Sequence, residues 1–381
     1  MDDIVLVTAD SVRRDYIEHM PFVSDFDVRT GYTGAHYTRP SLASLLSSNL
    51  EAAIRSEPVN PTLPEALSEL GYTCIGLSPG PQTDPSFGFD DGFDDYDSFY
   101  EVGDNAIQDR TSNLREFLGQ FDLVRDVYRK LFPMGALMDD MPSDTELVDM
   151  AIERFNDADG PRFLWLHLMG THRPYGQGDD AVPEDIDHKS ESMGGSRLFS
   201  PDELTDAERA VITDSYRDAL GRAGTEIERL VESLDSDPVF VFGADHGEEF
   251  GEDGYYYHQG YRRRVVDTIV QVPVVFDGID VTADPVSMLD IAPTLVSAAG
   301  GDPPEEWHGR DLLTEDPEWA ITIAPWHEKA TMRWTNFETT IVSRDADVSL
   351  LTGESRIDVE QSEVDDDINK RLQALGYRDA G

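Results

Sequence analysis

Two runs of this chain, RFLWLHLMG (162–170) and VFVFGA (239–244), are apolar at almost every position. Runs this short and this continuously apolar suit strands covered on both faces, the pattern of a parallel sheet packed between helices. IVLVTA (4–9) is a third buried strand, YTCIGL (72–77) and QVPVVF (271–276) two more. The segments between them carry helical periodicity. Leu42, Leu45 and Leu46 fall at helical spacing, and TLPEALSEL follows a Thr62 cap. Further helices are expected over 111–131, 144–157, about 201–234 and within SMLDIAPTLVSAAG (287–300). Alternation of this kind predicts an α/β domain with a large, mostly parallel central sheet flanked by helices. From about 301 the character changes to short antiparallel strands (EWAITIA, TMRWTN, ETTIVS, DVSLLT) and a terminal helix, DDINKRLQALGY. The expected division is 1–300 for the large domain and 301–381 for a small α+β subdomain with an antiparallel sheet. FGFDDGFDDYDSFY (87–100) reads as loop, and 173–200 as a polar surface loop or lid.

Charge narrows the partners. Acidic residues number 77 against 30 basic, for a formal net charge of -47, and the acids are dispersed along the chain. Only four lysines occur, Lys130, Lys189, Lys329 and Lys370. Dispersed acid with scarce lysine fits a salt-loving organism, where a short Debye length screens the self-repulsion. Such a surface repels nucleic acid. The single cysteine, Cys74, permits no intrachain disulfide. No stretch approaches the ~20 apolar residues of a membrane span, and the acidic start MDDIVLVTAD lacks the basic and apolar regions of a secretion signal. The expected location is cytoplasmic. Oligomeric state is not legible.

Ligands of open α/β sheets bind beyond the carboxyl ends of the strands. Three buried strands run there into reactive groups: IVLVTA into Asp10, VFVFGA into Asp245-His246-Gly247-Glu248, and RFLWLHLMG into Thr171-His172. Singly, each has a plain structural use as a cap or a satisfied polar residue. Together they set two carboxylates and two imidazoles at one sheet edge. A divalent cation held by Asp10, Asp245 and His246 would lower the pKa of a bound hydroxyl and so suit ester cleavage at a tetrahedral anionic centre. Oxygen ligands with one imidazole suit Ca, Mg or Mn and do not exclude Zn. Thr38, in HYTRPSLASLLSS, is either a helix cap or a hydroxyl nucleophile at a helix N-terminus. His172 and His258 are placed to contact the anion's outer oxygens or to protonate the leaving group. Trp165 and His167 read as core, Glu248 as solvated surface or a hydrogen-bonding group near the metal, and Arg262, Arg263 and Arg264 as partners of surface acids.

These segments resemble the sulfatase family of the alkaline phosphatase superfamily over nearly the whole chain. IVLVTADSVRRD is similar to the family's opening strand and metal-binding Asp, and TRPSLASLLSS to its nucleophile segment. FGFDDGFDDYD resembles its mid-domain loop, LHLMGTHRPY the strand and His that reach the substrate anion, and FGADHGEEFGEDG the second metal-binding segment. VSMLDIAPTLVSAAG followed by HGRDLL resembles the segment that closes the catalytic domain. The resemblance implies an alkaline-phosphatase-like sandwich in which Asp10, Asp245 and His246 hold one divalent metal, with Thr38 as nucleophile and fourth ligand. It further implies His172 on the anion and His258 near the leaving oxygen. The implied substrate is a small-molecule, glycan or lipid-head-group sulfate or phosphate ester.

Three positions depart from the family pattern. Ser11 follows Asp10 where relatives carry a second acidic ligand. Leu42 stands where an Arg is usual, with Arg39 close by in sequence. Threonine is not converted to formylglycine, so Thr38 would act as a plain alkoxide, as in the superfamily's phosphodiesterases and phospho-head-group transferases. A transferase using Thr38, and a sulfatase-fold binding protein without activity, therefore stand as alternatives at this stage.

Overall fold

In a computed structural model of the protein, the described residues are 2–99, 141–175, 182–195, 204–258, 263–326 and 329–347. The expected 111–131 helix and the C-terminal helix lie outside them. The large sheet has eight strands: β1 Ile4–Ala9, β2 Arg29–Tyr32, β3 Thr73–Leu77, β4 Asp95–Asp97, β5 Arg162–Leu168, β6 Val239–Ala244, β7 Gln271–Asp277 and β8 Val286–Ser287. Their order is β4-β3-β5-β1-β6-β7-β2-β8. From β4 to β6 every pairing is parallel; β7 runs antiparallel to both β6 and β2. Every residue of β1, β5 and β6 is buried, so the central strands are covered on both faces, as their sequence requires. Each Val, Leu or Phe so buried contributes about 1.5–3 kcal/mol.

Helices Thr38–Ser47 (α1 below), Leu63–Glu69 and Ile291–Ala298 pack on one another, while Asp144–Asp157 packs against Asp206–Ser233. Capping boxes at Thr62, Ser143 and Thr205 start three of these helices, each with a glutamate three residues on. The expected lid contains a helix, Glu184–Gly195. The supposed loop 87–100 contains β4, an edge strand paired with β3 through Ile75–Leu77. An Asp-rich, three-residue strand lacks the apolar alternation that marks a strand. Short β2 and β8 escape sequence reading for the same reason.

A second sheet of three antiparallel strands, β9 Ala320–Trp326, β10 Lys329–Thr335 and β11 Thr340–Asp347, has the order β11-β10-β9. Its β9 docks on the segment leading to α1. Ile323 N donates to Gly34 O at 2.8 Å, and Thr322 Oγ1 to Thr33 O at 2.6 Å. Residues 308–312 hold the other end of α1, with His308 N donating to Ser48 O at 2.7 Å and Gly309 N to Ser48 Oγ at 3.0 Å. The small sheet therefore braces the approach to Thr38.

Candidate active site and metal centre

Parallel register brings β1, β5 and β6 to one edge, with Ala9 opposite both Leu168 and Ala244. The next residues leave the sheet together. Asp10 N donates to Leu168 O at 2.9 Å, Asp245 N to Ala9 O at 3.3 Å, and Thr171 Oγ1 to Asp10 O at 2.6 Å. Asp10, Asp245, His246, Thr38, His172 and His258 are all buried there. Every residue singled out for the site in the sequence thus converges on one place.

Thr38 is not a cap. The N-cap of α1 is Tyr37, which makes no side-chain cap bond, and Thr38 is the first helical residue. Its hydroxyl instead donates to Asp10 Oδ2 at 3.1 Å and lies 3.2 Å from His246 Nε2. Leu42 faces the core and Arg39 stacks over Phe87, 4.1 Å from the ring centroid. Ser41 Oγ donates to Asp245 O, tying the helix to the β6 exit.

His246 Nδ1 donates to the Gly247 carbonyl at 2.9 Å, which makes Nε2 the lone-pair nitrogen on the Thr38 side. Asp245 Oδ1 accepts from Ser11 N at 3.0 Å and His246 N at 2.7 Å. Asp245 Oδ2 is buried with no hydrogen-bond partner among the described residues and lies 3.4 Å from His246 Nε2. Ligand atoms of Asp10, Asp245 and His246 fall within 4.8 Å of one another. Carboxylates this close and this buried destabilise each other unless something positive joins them. An orphaned oxygen beside a preset imidazole is the donor set a divalent cation takes.

The two carboxyls divide accordingly. Burial opposes ionisation of Asp10, but His172, His246 and His258 around it hold its carboxyl well below the usual range. Burial first, then the Asp10 charge, drives Asp245 well above it.

Glu248 corrects the surface reading: it is fully buried. Tyr175 Oη donates to its Oε2 at 2.8 Å, and its Oε1 lies 3.2 Å from His258 Nδ1. Burial pushes its pKa up to about 7. The acid-rich run GEEFGEDG hid this, since Glu249 beside it is also buried, paired with Arg264 at 2.7 Å. Arg264 pairs with Asp253 as well, in keeping with the expected pairing of the arginine cluster; Arg262 lies outside the described residues.

Ser11, where the family pattern has a second acid, holds a left-handed backbone with φ 58°. Its N is bound by Asp245, its O accepts from Tyr216 Oη at 2.7 Å, and its hydroxyl donates to Asp10 Oδ1 while lying 3.2 Å from His258 Nδ1. The surroundings fix the strained residue, as is common at functional sites. No sequence signal marks this role. His167 is core as expected: its Nδ1 meets Thr8 Oγ1 at 2.9 Å, and Trp165 Nε1 donates to the same hydroxyl at 3.1 Å.

Gly247 lets the loop after His246 lie flat on the 268–269 backbone, with Gly247 N donating to Ile269 O at 2.7 Å and Glu248 N to Thr268 O at 3.0 Å. A Cβ there would sit 2.0 Å from Thr268 O. Gly247→Ala is expected to destabilise the protein by about 1–3 kcal/mol, read as a lower denaturation midpoint. An unchanged midpoint would show that the loop adapts freely.

The family model for sulfatases matches residues 2–301. The chain belongs to the sulfatase family. Among solved structures it is similar to a phosphonate monoester hydrolase of Agrobacterium radiobacter, at 16% identity and TM-score 0.62, covering 99% of this chain and 95% of that one. BT4656, solved with its substrate D-glucosamine-2-N,6-O-disulfate, is similar at 13% identity and TM-score 0.59, covering 100% and 99%. The C-terminal periplasmic domain of EcEptC from Escherichia coli, in complex with Zn, is similar at 15% identity and TM-score 0.53, covering 84% and 89%. These likenesses are of fold. A search of the curated proteins found no match. Family membership makes the chain an ester hydrolase of the sulfate and phosphate class. Among the described residues, no helix is long and apolar enough to cross a membrane.

Proposed function

We propose that this sulfatase-family protein cleaves its ester through Thr38, with Asp10, Asp245, His246 and Thr38 holding one divalent cation. The observation that carries this reading is the Thr38 hydroxyl, turned from its own helix onto Asp10 Oδ2 and His246 Nε2. A cation bound there supplies Lewis acidity to the ester and lowers the pKa of a neighbouring hydroxyl. Ca, Mg or Mn suits the oxygen-rich set, and Zn is compatible.

Thr38 stands at the N-terminus of a ten-residue helix, whose dipole favours the anionic group. In the ground state the Thr38 hydroxyl donates a hydrogen bond to Asp10 Oδ2, which fixes the position of Oγ1. The Thr38 hydroxyl loses its proton to solvent as Oγ1 bonds to the central atom. The bond from that atom to the ester oxygen breaks, and the leaving oxygen takes a proton from the histidine pair. Water then attacks the central atom and breaks its bond to Oγ1, which is reprotonated. His172 and His258 serve the oxygens of the anion and of the leaving group. A phospho-threonine is open to hydrolysis by activated water, whereas a sulfo-threonine has no equally easy return, so the nucleophile favours phosphate esters. The substrate class is a small-molecule, glycan or lipid-head-group ester, and the catalytic unit is 1–300 with 301–381 as a subdomain.

The test is a rapid quench during turnover in molar salt, using aryl sulfate, phosphate monoester and phosphodiester, followed by mass spectrometry of the Thr38 peptide. A phosphorylated Thr38 is the expected result. Product formation with Thr38 unmodified at every quench time overturns the reading.

A further inference from the structure

The loop that leaves β3 at the carboxyl edge of the sheet reads Ser78-Pro79-Gly80-Pro81-Gln82-Thr83, with a short 3₁₀ turn at Pro81–Thr83. Its bonds are made all around Gln82. Ser78 Oγ donates to Thr83 Oγ1 at 2.8 Å, and Thr83 Oγ1 to Ser78 O at 2.9 Å. Tyr96 Oη donates to Thr83 O at 2.6 Å, and Gly80 N to Ser98 O at 2.9 Å. Gly80, at φ 111°, gives the loop a bend that glycine alone takes readily. Inside this bonded frame both amide atoms of Gln82, Oε1 and Nε2, are buried with no hydrogen-bond partner among the described residues. Gln82 as a whole is 6% exposed.

An amide shut away from water and left unbonded destabilises the fold through its donor and its acceptor alike. A position chosen for packing would carry methionine or leucine, which fill a similar volume without that cost. A polar group kept against stability is characteristic of a functional site. Its place agrees. Ligands of open α/β sheets bind beyond the carboxyl ends of the strands, and the Pro81–Thr83 turn packs there on α1. Phe87, just after the turn, lies 4.1 Å under the guanidinium of Arg39, the residue next to Thr38. Thr38 is itself 1% exposed, so a substrate that reaches it enters below the protein surface, at the depth where the Gln82 amide lies.

Chemistry narrows the ligand. A neutral amide has no charge to set against a sulfate or phosphate group. It offers two N–H donors and a carbonyl acceptor, and the group that answers both is a hydroxyl. We propose that Gln82 binds a neutral hydroxyl on the alcohol part of the ester, and so selects esters of hydroxylated alcohols over aryl esters. The inference rests on the Thr38 reading above, which sets the ester bond at the start of α1; Gln82 decides what stands beside that bond.

The test compares wild type with Gln82→Met, an unbranched replacement of similar length, in two measurements. The first is stability without substrate. The denaturation midpoint is expected to rise, because the variant buries no unbonded amide. A midpoint at or below that of wild type overturns the proposal, since the amide is then satisfied inside the fold. The second is selectivity, measured as kcat/KM in molar salt for the phosphate and sulfate monoesters of glucose, glycerol and phenol. The ratio of hydroxylated to phenyl ester is expected to fall about tenfold or more in Gln82→Met, for a hydrogen bond that only the hydroxylated ester makes. The glucose and glycerol arms show which alcohol carries the hydroxyl. An unchanged ratio overturns the proposal, as does a wild type that cleaves only the phenyl esters or none of the six. Selectivity lost in Gln82→Met while Thr38 stays unmodified during turnover overturns the nucleophile assignment and leaves Gln82 standing. Phosphorylated Thr38 with an unchanged ratio overturns Gln82 alone.

Discussion

Replacing Thr38 with alanine lowers kcat/KM for the protein's ester by about a thousandfold or more, or at least ~4 kcal/mol of transition-state stabilisation. The size follows from what is removed: no other hydroxyl is described within bonding distance of both Asp10 Oδ2 and His246 Nε2. The variant is also cleanly interpretable. Thr38 provides no cap bond to α1, and alanine is the better helix former, so the helix persists. The melting temperature should stay within a few degrees of wild type. Thr38→Ser keeps the hydroxyl and retains activity to within about tenfold, having lost only the methyl group that fixes its rotamer. A Thr38→Ala enzyme within tenfold of wild type would place the nucleophile elsewhere. A Thr38→Ser enzyme as dead as Thr38→Ala would mean that packing of the threonine methyl, and not the hydroxyl, is what matters.

How much of this was legible depended on whether a feature is written locally. Continuous apolar runs reported β1, β5 and β6, because burial on both faces leaves no room for polar residues. Thr62 with Glu65, and Thr205 with Glu208, mark helix starts by a local reciprocal bond. β4, by contrast, reads Asp-Tyr-Asp and is a strand only because β3 offers it an edge. In the site, the strand-end residues Asp10, Asp245 and His246 were visible as groups at the carboxyl ends of buried strands. Glu248 was legible only as one of two alternatives, solvated surface or a hydrogen-bonding group near the metal, and Ser11 not at all. The burial of Glu248 is decided by Tyr175, 73 residues away, and the left-handed backbone of Ser11 by Tyr216 and Asp245, each more than 200 residues away. Pairings at that distance leave no periodicity to read. The same holds for Thr38: cap and nucleophile share one local sequence, and only the direction of the hydroxyl in the fold rules out the cap.

Stripping the protein with a chelator should abolish turnover and make its stability fall more steeply with rising pH than that of the metal-loaded protein. Metal-free, Asp245 sits in the fold well above its unfolded pKa, through burial and the Asp10 charge. The folded state then binds a proton that the unfolded state has released. Stability from that proton is complete below the unfolded carboxylate pKa of about 3.9 and is lost as pH rises toward the folded value. Asp10 works oppositely, since its folded pKa is depressed: its contribution is lost only in acid and is constant above about pH 5. From pH 5 to 8 Asp10 is therefore silent, and Asp245 contributes to the difference between stripped and loaded protein. A bound cation displaces the Asp245 proton and reverses the balance, stabilising the fold by about 4 kcal/mol at a thousand times its dissociation constant. The gap in melting temperature between loaded and stripped protein should widen from pH 5 to pH 8. Asp144 and Asp290, raised by burial to about 6, titrate in both forms and cancel in that difference, whereas Glu248, raised by burial to about 7 inside the site, adds to the widening in the same direction. Asp245→Asn cannot gain charge with pH; it should narrow the gap, bind the ion at least about a hundredfold more weakly, and lose activity with it. Parallel melting curves for loaded and stripped wild type across this range would mean that Asp245 does not hold the ion.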